Sequence, residues 1–439
     1  MEWYTLGVIM FASLLFLLML GIPVGFSLLI TSVGSLLIVG KGVKYFVDLP
    51  CYFFHHLNSF TLTCVTLFIL MALYAQFSGF GSDLFRSLYR WVGKVPGSLN
   101  ITAIMSCAIF SAISGTSVAT AATVGLVAMP EFKRYKYNAQ LAVGSMAAGG
   151  ALGILIPPSV PMIMYCVITG QSIGHMFAGG LFPGLMTAGI FMVYIFIRCK
   201  MNPALAPIPE GKMSEITDLS IGRSIINVVP IVIIILAVLL SIYLGIATPT
   251  EAAAVGAFGA GALALLVRRM NFIDLFKASI EAVRIGAFII LIFLGALAFG
   301  HAVARGGVAV GMSEWVVALG VGKYTVLVML LSVLFFLGFF MDPTPIILTT
   351  MPIIYPLAMQ FGFDPVYFGV LCVMTLETAA ITPPVGFNLF ILRGIGQGYV
   401  SMGQIIKGSF PFVLLYILCI IIVLLIPDII MYLPNKMMT

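Results

Sequence analysis

Apolar runs of about twenty residues, separated by short polar loops, recur along the whole chain. That length suits a helix crossing a bilayer core, at about 1.5 Å of rise per residue. The pattern predicts roughly ten spans, near residues 3–20, 22–39, 60–78, 139–169, 177–199, 224–246, 249–267, 283–300, 364–395 and 409–431. Two more stretches, 98–130 and 324–360, are apolar but interrupted at their middles by Ser114-Gly115-Thr116-Ser117 and Met341-Asp342-Pro343-Thr344-Pro345. They read as re-entrant hairpins that enter and leave one membrane face. Two of the spans carry Pro157-Pro158 and Pro383-Pro384 mid-run. Proline removes a backbone donor and clashes with the preceding turn, so both spans are predicted to unwind there.

Hairpin and broken span occur twice. Met129-Pro130, Pro157-Pro158, Gly170-Gln171 and Phe182-Pro183 return in the same order as Met351-Pro352, Pro383-Pro384, Gly396-Gln397 and Phe410-Pro411. A duplicated unit with helix breakers inside apolar sequence points to a secondary transporter whose site lies at the breaks.

Composition agrees with the solvent that the pattern implies. Apolar residues make up 62% of the 439 and charged residues 8%, far too little polar surface for a water-soluble globule. The first run begins Met1-Glu2-Trp3 without a basic start and is followed at once by another run, so it reads as a retained span. The seven cysteines form no C-x-x-C and have no metal-ligand spacing against the four histidines. A net charge of +6 is modest, and the basic residues follow topology rather than forming a nucleic-acid patch. Clusters at Arg86-Arg90-Lys94, Lys133-Arg134-Lys136, Arg198-Lys200-Lys212-Arg223, Arg268-Arg269-Lys277-Arg284 and Arg393 with Lys407 all fall inside if the two hairpins dip from opposite faces. The repeat is then inverted and both termini lie outside. The expected class is an all-α polytopic membrane protein, with a linker at 200–222 between the halves and an interfacial helix at 41–58.

The breaks carry the chemistry. Unwinding frees carbonyl oxygens that must be satisfied within the membrane, and carbonyls with hydroxyls are hard ligands suited to a small cation such as sodium. The first copy offers Ser114 and Thr116 with the carbonyls around Gly153, Ile156 and Pro158. The second offers Asp342, Thr344, Thr378 and Thr382 with carbonyls near Ala379. An acidic residue such as Asp342 in an apolar run usually faces a cavity, an ion or a partner; it also suits a cap for a helix starting at Pro343, and the two roles are compatible. Glu377 fits a cavity wall or a functional role. Glu251 fits a capping box with Thr248. Helix N-termini aimed at mid-membrane favour an anionic substrate, expected near Ser117, Ser159, Thr378, Gly386 and Asn388. Arg393 serves either that substrate or a cytoplasmic anchor.

Through Ser114-Gly115-Thr116-Ser117, Gly153…Pro157-Pro158-Ser159, Ala247-Thr248-Pro249-Thr250-Glu251-Ala252-Ala253 and Thr382-Pro383-Pro384-Val385-Gly386, the chain resembles the large membrane subunit of TRAP (tripartite ATP-independent periplasmic) transporters along its whole length. The resemblance implies a sodium-coupled importer of organic acids in the bacterial inner membrane, with an elevator fold of the ion-transporter superfamily and two or more coupling Na+ ions. It implies two partners: a periplasmic substrate-binding protein and a small four-span membrane subunit, expected here as a separate polypeptide. One sodium site is implied at Ser114, Thr116, Gly153, Ile156 and Pro158, the other at Asp342, Thr344, Ala379, Thr382 and Pro384. The organisation expected is scaffold at 1–97, a first transport repeat at 98–176, scaffold at 177–323, a second transport repeat at 324–400 and a final span at 401–439. Sialic acid is the substrate favoured on general similarity, with a four-carbon dicarboxylate the other candidate.

Three rival readings compete with this one. A stand-alone sodium-coupled carboxylate carrier would share the repeat. An intramembrane enzyme is disfavoured, because no histidine lies near a mid-membrane Ser or Cys and no carboxylate pair has a helical spacing for acid–base work. An ATP-driven pump is disfavoured too, since Gly322-Lys323 is followed by Tyr324 and no P-loop occurs.

Overall fold

The computed structural model describes residues 2–39, 42–207, 220–383, 386–396 and 399–437, with residues 42–46 known by their backbone alone. Most of the 200–222 linker, Pro384 and Gln397 therefore lie outside the described residues. Among those described, twenty α-helices and two 3₁₀ turns form and no strand does. In chain order the helices are α1 (Trp3–Met19), α2 (Val24–Ile38), α3 (Gly42–Leu57), α4 (Phe60–Phe77), α5 (Phe80–Val92), α6 (Ser98–Ser114), α7 (Ser117–Arg134), α8 (Ala139–Ala151), α9 (Val160–Thr169) and α10 (Ile173–Met201). The second half adds α11 (Ile221–Tyr243), α12 (Pro249–Leu266), α13 (Phe272–Arg305), α14 (Val308–Ala318), α15 (Lys323–Leu337), α16 (Pro343–Gln360), α17 (Pro365–Ala380), α18 (Phe387–Ile395), α19 (Met402–Leu425) and α20 (Asp428–Met437).

The protein is an all-α polytopic membrane protein. Six helices, α4, α10, α11, α12, α13 and α19, are each long and apolar enough to cross a bilayer alone. Their outer faces are apolar: Ile226, Phe258, Leu266 and Phe276 stand at least 66% exposed, as lipid-facing side chains do. Both interrupted stretches fold as hairpins, α6–α7 and α15–α16. Both proline-bearing spans break, into α8 and α9 through the 3₁₀ turn Leu152–Ile154, and into α17 and α18.

The two copies interlock. The second arm of each hairpin packs on the far piece of the other copy's broken span, α7 on α18 and α16 on α9. The helix following each broken span likewise crosses the near piece of the other, α10 on α17 and α19 on α8. Contacts inside each copy repeat as well, α6 with α8 and α15 with α17. Such reciprocal pairing is what a pseudo-two-fold repeat produces. Beside this unit, α13 packs on α2 and α4, and α12 on α4 and α11. Small residues allow the close crossings: a Cβ on Gly295 would stand 2.6 Å from the Gly25 carbonyl oxygen.

Some helices lie where the hydropathy pattern predicts loops or a shorter span. The 283–300 span is the middle of the 34-residue α13, whose first turn is fixed by a capping box of Asn271 and Asp274. Residues 80–92 form an amphipathic helix that buries Leu84, Phe85, Leu88 and Tyr89 and leaves Arg86 and Arg90 exposed. Arg269 from the α12–α13 turn pairs with Asp83 of that helix at 3.0 Å. The Thr248–Glu251 capping box forms as read, with the Thr248 amide donating to the Glu251 carboxylate at 2.8 Å. Thr248→Ala should lower stability by about 1 kcal/mol, measured as a shift in thermal unfolding of detergent-purified protein; an unchanged midpoint would show that packing alone holds α12.

Candidate functional site

The first hairpin turns at Gly115, whose positive φ of 62° suits glycine. The Ser114 hydroxyl reaches across the turn to the Thr116 carbonyl (3.0 Å) and to the Thr120 hydroxyl (2.8 Å). Thr116 caps α7 by accepting the Ala119 amide. The tip is sewn to the first break: the Val160 amide donates to the Gly115 carbonyl at 3.1 Å. A Cβ on Gly115 would lie 2.9 Å from the Pro158 carbonyl oxygen, and one on Gly153 only 2.5 Å from that of Thr116. Ser114, Thr116, Gly153 and Pro158 therefore meet in one buried place. The Pro157-Pro158 bond is cis. The Ile156 side chain packs toward Gly184 of α10.

At the second tip Asp342 caps α16, accepting the Thr344 amide at 3.0 Å. Gly338 lets this tip approach the end of α17, where a Cβ would stand 2.5 Å from Ala379 Cβ. The Ala379 carbonyl accepts the Thr382 amide at 3.0 Å. Thr378 and Thr382 turn their hydroxyl protons back to the carbonyls of Met374 and Thr378, which leaves oxygen lone pairs free to accept. Asp342 and Thr344 sit together, and Ala379 and Thr382 sit together one packing contact away. Pro384 lies outside the described residues.

Both tips border a single cavity of about 410 Å³. Ser114 and Thr116 enter it from the first hairpin, Asp342, Thr344 and Pro345 from the second. The opposite wall is Ile69, Leu73 and Gln76 of α4 with Ile285, Phe288, Ile289 and Ile292 of α13. An apolar cleft of this size with a few convergent polar groups has the form of a small-ligand site. Four helices begin at its edge: α7 after Thr116, α9 at Val160, α16 after Asp342 and α18 at Phe387. Among the described residues no lysine, arginine or histidine lines it. Positive potential there comes from backbone amides at helix N-termini.

Four of the residues expected around the substrate are chain neighbours of residues that line the cavity. Ser117 and Ser159 are buried next to Thr116 and Val160, and Gly386 and Asn388 flank Phe387. Thr378 is buried within α17. Arg393 is exposed on α18 and does not line the cavity. The α4 and α13 wall is the part that residue types alone do not reveal. Among the described residues no cluster of three or more His, Cys, Asp or Glu side chains forms a metal centre. The donors present are hydroxyl, carbonyl and carboxylate oxygens, which fit an alkali cation rather than a transition metal.

A family model described as "Tripartite ATP-independent periplasmic transporter, DctM component" matches residues 11–429. The C4-dicarboxylate TRAP transporter large permease protein DctM of Pseudomonas aeruginosa is 34% identical over 379 residues, 86% of each chain. The sialic acid TRAP transporter large permease protein SiaM of Vibrio cholerae is 29% identical, covering 95% of this chain and 96% of that one. In fold the chain is similar to the YdaH transporter of Alcanivorax borkumensis, with a TM-score of 0.62 at 17% identity over 88% of both chains. The interlocked hairpins and broken helices are thus those of a transporter, and the chain belongs to the family of the DctM component, the large permease of tripartite ATP-independent periplasmic transporters.

Proposed function

We propose that the chain imports an organic acid across the bacterial inner membrane, driven by sodium and supplied by a periplasmic binding protein. The observation that carries this reading is the cavity between the hairpin tips, where four helix N-termini converge and no basic side chain is present among the described residues. Such a site attracts a carboxylate without a fixed cationic partner. A coupling cation would offset the like charge of Asp342, which faces the same cavity.

Sodium is a co-substrate here. Ser114 and Thr116, with the carbonyls of Gly153, Ile156 and Pro158, would hold one ion, and Asp342, Thr344, Ala379, Thr382 and Pro384 a second. The hairpins and broken helices would move as a transport domain against a scaffold that includes α2, α4, α12 and α13, in an elevator stroke. A small membrane subunit would complete the assembly. A four-carbon dicarboxylate and sialic acid are the first substrates to test.

The test is uptake of each labelled acid into proteoliposomes containing the chain, its small subunit and the cognate binding protein, with and without an inward sodium gradient. Uptake should require both sodium and the binding protein. Sodium-driven uptake without the binding protein would assign the chain to stand-alone carriers, and uptake indifferent to sodium would remove the coupling.

A further inference from the structure

A second cavity, also of about 410 Å³, lies on the same seam as the first. One side is Ala296, Leu297 and Gly300 of α13 with Tyr52 and His56 of α3. The other is the last turn of α9, through Thr169 and Gly170, with Pro352 of α16; among the described residues none from either tip lines it. On α13 the two cavities are centred about nine residues apart, roughly 14 Å at helical rise. The bordering residues of α9 and α16 are displaced likewise, Val160 against Thr169 and Pro345 against Pro352, by roughly 10–14 Å. Along this length α13 presents Ile285, Ile289, Ile292, Ala296 and Gly300, an uncharged stripe at helical spacing. Gly300 lets α16 cross the stripe closely, since a Cβ there would stand 3.1 Å from Pro352 Cβ.

Each cavity pairs the apolar flank of α13 with polar groups from a neighbouring helix. In the first the group is Gln76 of α4; in the second, Tyr52 and His56 of α3. The second pair is held in place. The Tyr52 ring centroid lies 4.2 Å from that of His56 and 4.9 Å from that of His301 on α13. Asp48 of α3 also reaches Arg305 of α13 at 4.0 Å. His56 Nδ1 lies 2.8 Å from the Tyr52 carbonyl oxygen. A carbonyl only accepts, so Nδ1 carries the proton and Nε2 keeps a lone pair, while the Tyr52 hydroxyl can donate. A donor beside an acceptor suits an acid that also bears a hydroxyl.

We propose that the second cavity is the outer station of the transport stroke, where Tyr52 and His56 contact the substrate. On the topology set by the basic clusters, the Gly300 end of α13 is its outer end. A slide of the hairpins by roughly 14 Å along the α13 stripe would carry Ser114, Thr116, Asp342 and Thr344 from the level of Gln76 to that of Tyr52 and His56. The tip groups travel with the substrate and the scaffold groups are exchanged: Gln76 meets the acid on the inner side, Tyr52 and His56 on the outer. This inference rests on the elevator reading above and assigns to it the scaffold residues that select the acid on each side.

The experiment uses proteoliposomes holding the chain and its small subunit in one orientation, with labelled sialic acid or four-carbon dicarboxylate, whichever the uptake assay accepts. The half-saturating concentration is measured separately for acid outside, presented by the binding protein, and for acid inside, in exchange. Tyr52→Phe and His56→Gln should each raise the outside value about tenfold, as loss of one hydrogen bond does, and leave the inside value unchanged. Gln76→Leu should do the reverse. Either outer variant carries the test if the other does not fold. Equal shifts on both sides, or none, would overturn the inference. The stroke itself is tested by Gly300→Cys with Pro352→Cys: oxidation to the disulfide should stop uptake and reduction restore it. Uptake that survives the cross-link would overturn the elevator reading and this inference together, whereas arrest by the cross-link without side-specific variants would overturn this inference alone.

Discussion

Replacing Gly153 with alanine should reduce sodium-driven uptake by about a hundredfold while the chain still inserts in the membrane. The added Cβ would stand 2.5 Å from the Thr116 carbonyl oxygen and 2.6 Å from Ser117 Cα. Both are backbone atoms of the first tip, so no side-chain rotation relieves the clash; the tip itself has to move off the break. Overpacking of this kind costs about 1–3 kcal/mol, and the displacement falls on Ser114, Thr116 and Pro158 together. Gly34→Ala is the control, since its Cβ would meet nothing within 4 Å. Near wild-type uptake by the Gly153 variant would mean that the meeting of tip and break is only a packing convenience.

Removing the charge of Asp342 should have the next largest effect. Asparagine caps a helix about as well as aspartate, so Asp342→Asn keeps the bond to the Thr344 amide and changes charge alone. The sodium concentration for half-maximal uptake should rise about tenfold, with uptake largely restored at high sodium. Asp342→Ala loses cap and charge together and should in addition destabilise the protein by about 1 kcal/mol. A sodium titration of Asp342→Asn that overlays the wild type would reduce Asp342 to a cap.

Both variants test features legible in the residues themselves. Proline pairs announce the broken spans because a missing donor is a local fact, and Gly115 and Asp342 announce the tips for similar reasons. Thr248 and Glu251 announce a helix start at the spacing a capping box needs. The longer and more amphipathic elements are harder to read. Asp274, Lys277 and Glu281 dilute the hydropathy of the first turns of α13, although they share one continuous helix with Ile285–Ile292. In α5 the apolar residues recur at helical spacing while their average is low. The cavity wall is invisible for another reason: Leu73 and Ile289 are the residue types that also face lipid, and only tertiary packing distinguishes the two settings. Glu377 stands out as a charge in an apolar run, but only the fold shows that it is fully buried, with no hydrogen-bond partner for either oxygen among the described residues.

The reciprocal pairing of α7 with α18 and of α9 with α16 has a consequence for biosynthesis. The partners lie roughly 180–270 residues apart in the chain, a delay of about 10–50 s at ordinary rates of translation. During that interval α7 and α9 are made and inserted, yet the surfaces they will rest on do not exist. The tip and break of the first half must wait in a provisional arrangement, sheltered by their own hairpin, by lipid or by the insertion machinery. Final assembly is therefore late and all at once, a mutual docking of two preformed halves. Continuity of the polypeptide between them plays no part in those two pairings, so two separately translated halves meeting in the same membrane would have both available to them.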